Sequence, residues 1–188
     1  VEDTKEVTES DLARLMCGHE LNPPKKTSSK LGETLLRLSA IKTGSSTHQQ
    51  LKGINLSVQG GEILGVAGVS GNGQKELADI IAGVLSPSEG SIEVKGVIIP
   101  KTSPRFMQKL KIGRIPEDRM TTGLVTSLPL YVSMVLTWIR HPLFSRFGVL
   151  RRNKILSFTS EMIKRFTIQA KDPEVKTGTL SGGNLQKV

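Results

Sequence analysis

The chain has 188 residues, 37% of them hydrophobic and 23% charged, an ordinary composition for a globular domain with a substantial core. No apolar run reaches the roughly 18 to 20 residues that span a bilayer, and the charged start Val1-Glu2-Asp3-Thr4-Lys5-Glu6 is unlike a secretory signal. The single Cys17 excludes an internal disulfide and suggests no structural metal site, while a net charge of +9 dispersed along the chain, with aromatics at only 4%, argues against a nucleic-acid binder.

In chain order, Ser10-Asp11-Leu12-Ala13-Arg14-Leu15-Met16 reads as a short capped helix with Leu12, Leu15 and Met16 on one face. Asn22-Pro23-Pro24-Lys25-Lys26-Thr27-Ser28-Ser29-Lys30 has the composition of an exposed linker and marks a domain boundary. Residues 34–41 are predicted as a strand, 44–47 as a turn, and Ile54, Leu56 and Val58 alternate as the inward face of a second strand ending at Gly60-Gly61. The run Ile63-Leu64-Gly65-Val66-Ala67 is apolar on both faces, which predicts a buried parallel strand. It leads into Gly68-Val69-Ser70-Gly71-Asn72-Gly73, after which Leu77, Ile80, Ile81 and Val84 keep helical spacing. Ser86-Pro87-Ser88-Glu89-Gly90 is a turn and residues 92–99 return as strand. Beyond Pro104 the pattern is mainly helical, with candidates at 131–140 and 151–166, the latter aligning Ile155, Phe158, Met162 and Phe166; Pro142 and Gly148 break the chain between them.

A glycine loop between a buried strand and a helix suits phosphate, because its backbone N–H groups converge on oxygens and the helix start adds partial positive charge. The full phosphate-loop pattern continues with Lys and then Ser or Thr. Here Gln74 and Lys75 stand instead, followed by Glu76. Gln is uncharged, and a charge-assisted bond contributes about 1.5–3 kcal/mol against roughly 1 for a neutral one. Lys75 does not replace the missing Lys, since one residue along a helix turns a side chain by about 100°. It also occupies the position whose hydroxyl would bind magnesium. Residues 68–76 are therefore expected to bind ATP weakly at most and not to hydrolyse it; a glycine turn without a ligand is the plainer alternative.

Near the end lies Leu180-Ser181-Gly182-Gly183-Asn184-Leu185-Gln186-Lys187-Val188. Ser181 suits an N-cap, and the two glycines let phosphate approach a helix start. This segment resembles the signature of ABC ATPases. Together with Gly71-Asn72-Gly73-Gln74 and Ile115-Pro116-Glu117-Asp118-Arg119, it is most similar to the second, degenerate ATPase domain of the double-domain proteins that energise import of simple sugars and nucleosides. In those proteins the corresponding loop commonly reads Gly, Arg or Gln, Ser or Thr, then Glu; Glu76 fits that pattern and Lys75 departs from it.

The resemblance implies an α/β fold, a P-loop NTPase ABC ATPase domain with an antiparallel β lobe, an incomplete core sheet and a helical subdomain. Residues 1–20 are expected to be the tail of a preceding ATPase domain, 21–32 a linker, 33–104 the β lobe and phosphate-loop core, 105–178 the helical subdomain, and 179–188 the signature. By the same likeness, Leu180, Ser181, Gly182, Gly183, Asn184 and Gln186 act in trans on ATP bound with Mg²⁺ by the partner domain. Glu117 takes the place of a phosphate-sensing Gln, and an ionised carboxylate cannot donate a hydrogen bond, so Glu117, Asp118 and Arg119 read as a relay to a permease. A polar turn after Pro116 is the plainer alternative.

Most ABC domains stack adenine on an early aromatic residue; none lies between residues 31 and 65, where His48 is the nearby ring. The Asp and Glu that the family uses for magnesium and catalysis have no counterpart before Val188, so this chain alone is expected not to turn over ATP. The implied partners are permease subunits, the first ATPase domain of the same polypeptide and, indirectly, a solute-binding protein, at the cytoplasmic side of the membrane. A non-hydrolysing regulatory or scaffolding module is the alternative from another class, and an ABC ATPase of DNA repair or translation a third reading.

Overall fold

The structure, a computed structural model, describes Thr8, Asp11, residues 30–44 and residues 49–188. Asp11 is helical and exchanges hydrogen bonds with Thr8 in the manner of a capping box, its own N–H donating to Thr8 Oγ1 and its carboxylate accepting from the Thr8 hydroxyl at 2.6 Å. The rest of the predicted N-terminal helix, Cys17, the linker up to residue 29 and His48 lie outside the described residues. The chain divides into two compact units, up to Ile112 and from Gly113 onward.

The first unit is built on a four-stranded antiparallel sheet. Strand β1 (Thr34–Lys42) pairs with β2 (Lys52–Gln59) on one side and with β3 (Glu89–Val94) on the other, and β3 turns back into the short β4 (Val97–Ile98). Leu38 faces Leu56 across one ladder and Ile92 across the other, so the alternation of apolar residues fixes the register on the buried face. The register shifts at Ala40, which has φ 50° and whose N–H is taken by the side-chain carbonyl of Asn55 at 2.8 Å. Helix α1 (Gln74–Ile81) packs Leu77 and Ile80 against Leu38, Ile41 and Ile92. Each such side chain contributes about 1.5–3 kcal/mol by burial.

Residues 92–99, predicted as one strand, form a hairpin instead. Lys95 and Gly96 both take positive φ, the geometry of a two-residue turn that matches strand twist. Helix α1 ends before Val84, although the apolar spacing continues that far. Gly83 adopts φ 74°, and a Cβ there would overlap the Ser103 backbone, so the chain leaves the helix where only glycine fits. Helix α2 (Pro104–Lys109), capped by Ser103, buries Met107 in the same core, so the first unit runs on past residue 104.

The predicted buried strand at 63–67 is not found. Residues 62–69 have no strand partner among the described residues, and Ile63 is 98% exposed and Val69 75% exposed. A strand apolar on both faces requires a neighbour along each edge and a layer on each side. No described segment of this chain supplies them.

In the second unit, a single π-helical turn (Arg119–Gly123) is followed by α3 (Leu130–Val135), continued by a 3₁₀ turn (Leu136–Trp138). A two-stranded hairpin, β5 (Ser145–Arg146) and β6 (Val149–Leu150), leads into α4 (Arg152–Arg165). Val135, Phe144 and Ile155 form the core between them, with Tyr131 and Phe158 against it; the Phe144 and Phe158 rings sit 5.1 Å apart at 60°. Phe166, predicted on the buried face of α4, is half-exposed at the helix end. A 3₁₀ turn (Thr177–Thr179) brings the chain to α5 (Gly182–Lys187).

Candidate functional site

The glycine loop begins where the unpaired segment ends and closes on itself. Val69 carbonyl accepts from the Asn72 N–H at 3.2 Å and from Gln74 Nε2 at 3.2 Å. A Cβ at Gly68 would overlap Gln74 Nε2, so the Gln74 side chain folds back across the start of the loop. Gly73, with φ 94°, is the N-cap of α1 and provides no side-chain cap, which leaves the helix start to backbone N–H groups alone. Val69, Ser70, Gly71, Asn72 and Lys75 are exposed.

Glu76 is buried in the first turn, where the partial positive charge of the helix start favours a carboxylate. The position for a metal-binding hydroxyl holds Lys75, and the position for the phosphate-binding Lys holds Gln74, already bonded to the loop. Among the described residues, no group of three or more His, Cys, Asp or Glu could hold a metal ion.

In the second unit, Asp118 is the N-cap of the π-helical turn. Its carboxylate accepts from Met120 N–H at 2.8 Å, Thr121 N–H at 3.0 Å and the Thr121 hydroxyl at 2.5 Å. Of the three residues expected to form a relay, Asp118 builds the turn and Glu117 stands exposed just before it, beyond Ile115, which is 95% exposed.

The signature residues divide into an outer and an inner set. Ser181, Gly182, Gly183 and Gln186 are exposed, whereas Asn184 and Leu185 are buried and Leu180 is half-buried. Ser181 is the N-cap of α5 by its backbone, its carbonyl accepting from Leu185 N–H at 2.9 Å, but its hydroxyl does not bond the helix amides. The hydroxyl oxygen accepts from Asn184 Nδ2 at 2.8 Å instead, and Asn184 Oδ1 accepts from Gln169 N–H at 2.9 Å. Asn184 therefore ties the signature to the segment that follows α4, and the lone pair that it occupies leaves the Ser181 O–H directed elsewhere as a donor. A Cβ at Gly183 would meet nothing within 4 Å, so the space over the helix start is open.

Two residues that the sequence reading did not single out hold this segment in place. Thr177 is fully buried; its N–H and hydroxyl both donate to Leu128 carbonyl at 2.9 Å, and its oxygen lies 2.8 Å from Ser133 Oγ. Gly178 N–H donates to Thr126 carbonyl at 2.9 Å. Neither residue belongs to a periodic apolar pattern, so nothing in the local sequence points to the pair.

With this geometry in view, the family model for ABC transporters matches residues 51–188. The chain belongs to the ABC transporter family. It is 34% identical over 182 residues to the nucleoside import ATP-binding protein NupA of Lactococcus lactis, covering 96% of this chain and 36% of that protein. It is 31% identical to the guanosine import ATP-binding protein NupO of Bacillus subtilis, covering 98% of this chain and 37% of that one. To the ribose import ATP-binding protein RbsA of Yersinia pestis it is 32% identical, covering 95% and 34% respectively. The chain thus spans about a third of the length of the curated relatives it matches. The fold is shared with the dimeric bacterial ABC transporter cassette MJ0796, at a TM-score of 0.62 and 20% identity over 81% of this chain and 66% of that one. It is also shared with cbiO1 of Clostridium perfringens, at 0.58 and 24% over 82% and 59%. The family uses ATP with Mg²⁺. No helix among the described residues is long and apolar enough to cross a membrane.

Proposed function

We propose that this chain is the ATP-binding domain of an importer for simple sugars or nucleosides, working peripherally at the cytoplasmic side of the membrane against permease subunits. Its catalytic contribution is made in trans. The exposed helix start at Ser181, Gly182 and Gly183 faces ATP held by a partner ATPase domain, the first of the same polypeptide. That domain supplies the Lys, the Mg²⁺ and the catalytic carboxylate, and a solute-binding protein delivers the cargo to the permease. The nucleotide's phosphates supply the anion that this helix start attracts. Ser181 donates its hydroxyl proton outward, Gly182 and Gly183 leave room for an oxygen to approach, and Asn184 holds Ser181 from beneath.

The observation that carries this reading is the contrast between the two glycine-rich segments. The signature is open and uncapped by its own side chain, while the loop at 68–76 is closed by the bond from Gln74 to Val69. On this basis the domain's own loop binds ATP weakly at most and does not turn it over. Glu117, exposed before the capped turn, is the residue placed to relay nucleotide state to the permease.

The closed loop also favours a second reading, a nucleotide-insensitive scaffold that holds the permease and does no catalytic work. One assay separates them. Ser181→Arg in the full-length protein abolishes both ATPase activity and uptake under the trans-acting reading, while Gln74→Ala leaves turnover in place. Indifference of both activities to Ser181→Arg favours the scaffold, and loss of turnover in Gln74→Ala overturns the inert loop.

A further inference from the structure

Residues 119–160 carry six Lys or Arg, no more densely than the rest of the chain, but no Asp or Glu, together with five of the seven aromatic residues. The middle of this run is the short hairpin of β5 and β6 together with the turns that flank it. His141 N–H donates to Trp138 carbonyl at 2.7 Å, Arg151 N–H to Phe144 carbonyl at 2.8 Å, and Arg151 Nη1 to Pro142 carbonyl at 3.2 Å. Phe144, 1% exposed, anchors the base in the core. Outward from it the apolar side chains have no cover: Phe147 at the turn is 92% exposed, Val149 70% and Trp138 55%.

Arg140 and Arg146 stand among these side chains, both exposed and, among the described residues, without an acidic partner. Arg152 does have one, Glu174, and it shares a shallow depression of about 370 Å³ with Arg151, Asn153 and Lys154. The Arg146 guanidinium lies 5.3 Å from the centre of the Phe147 ring.

We infer that this hairpin face binds the surface of an anionic lipid bilayer, with Phe147, Val149 and Trp138 entering the headgroup layer and Arg140, Arg146 and Arg151 meeting lipid phosphates. The inference rests on the proposed work at a membrane and adds a partner to it. Aromatic rings beside cations partition into the interface because the ring leaves water while the charge stays at the phosphate level. Each Lys or Arg near an anionic leaflet adds about a fivefold gain in partition. A nucleic acid offers phosphates but no apolar layer for Val149, and the face of Phe147 beneath Arg146 is closed to a stacking base.

Trp138 is the chain's single tryptophan, so its emission reports the contact directly. Titrating the full chain with vesicles of mixed phosphatidylglycerol and phosphatidylcholine is expected to shift that emission to the blue, and phosphatidylcholine alone to leave it unchanged. Arg140→Ala with Arg146→Ala weakens partition about 30-fold. Phe147→Ser weakens it while keeping its salt dependence, with circular dichroism checking that each variant stays folded. Brominated lipids give a second measurement that needs no variant, since they quench Trp138 only if it enters the bilayer. Absence of both blue shift and quenching overturns the inference, as does tighter binding to a single-stranded oligonucleotide than to the vesicles. Vesicle binding requires no ATP turnover. Its failure alongside loss of uptake in Ser181→Arg removes the lipid contact alone, and success alongside an indifferent Ser181→Arg removes the trans-acting reading alone.

Discussion

Asn184 Nδ2 donates to Ser181 Oγ at 2.8 Å across one turn of the signature helix, and the same side chain accepts from the backbone of Gln169. One buried amide thus fixes both the hydroxyl that faces outward and the segment behind it. Asn184→Ala leaves the Gln169 N–H unsatisfied and is expected to cost about 1–2 kcal/mol of stability, read from the urea midpoint, together with a fall in the ATPase rate of the full-length protein. Asn184→Asp separates the two effects. The carboxylate still accepts from Gln169 but now also accepts from Ser181, turning the hydroxyl proton inward. Activity is expected to fall in this variant with most of the stability retained; full activity would show that the direction of the Ser181 hydroxyl does not matter.

The loop at 68–76 makes the opposite prediction, a gain. Gln74→Lys with Lys75→Ser restores a cation for phosphate and a hydroxyl for magnesium, and it removes the bond that now closes the loop onto Val69. A charge-assisted contact in place of a neutral one raises affinity roughly 2- to 30-fold. Binding of a fluorescent ATP analogue to the doubly substituted chain measures this directly. An unchanged affinity would mean that buried Glu76, rather than Gln74 and Lys75, sets the limit.

Much of this was legible in the sequence because it is local. The alternation of Ile54, Leu56 and Val58 and the helical spacing from Leu77 to Ile81 gave β2 and α1, and the motifs at 68–76 and 180–188 stand at a loop before a helix and at a helix start. What was missed depends on partners. Residues 63–67 have the composition of a buried parallel strand, but strand formation requires neighbouring strands, which no described segment provides. The Lys95-Gly96 turn lay hidden inside an apolar run, because positive φ at Lys95 has no compositional marker. The bond between Ser133 and Thr177 joins residues 44 apart, and no window of sequence contains both.

Asp118 and Glu117 are adjacent, and their separate roles predict separate phenotypes. Asp118→Ala removes the cap that accepts from Met120 and Thr121 and is expected to cost about 1 kcal/mol locally. Hydrogen exchange should then speed up at residues 120–123 and little elsewhere. Glu117→Gln touches no bond of the turn, so exchange there stays unchanged while uptake per ATP consumed falls in the full-length transporter. Coupling that survives Glu117→Gln but is lost in Asp118→Ala would move the relay to the turn itself.

The last prediction concerns stability alone. Thr159 is fully buried in the middle of α4, and its hydroxyl has no hydrogen-bond partner among the described residues. A buried hydroxyl without a partner carries its desolvation cost uncompensated, about 1–3 kcal/mol. Valine has nearly the same shape and fills the site without the polar atom. Its β-branch is tolerated here as threonine's already is. Thr159→Val is therefore expected to stabilise the chain by about 1 kcal/mol, seen as a higher urea midpoint with an unchanged slope. Thr159→Ala, which removes the hydroxyl and also leaves a methyl-sized cavity, should gain less or lose. If the valine variant were the less stable of the two, the Thr159 hydroxyl would have to be satisfied by a buried water, and an ordered water at that position would then be found by experiment.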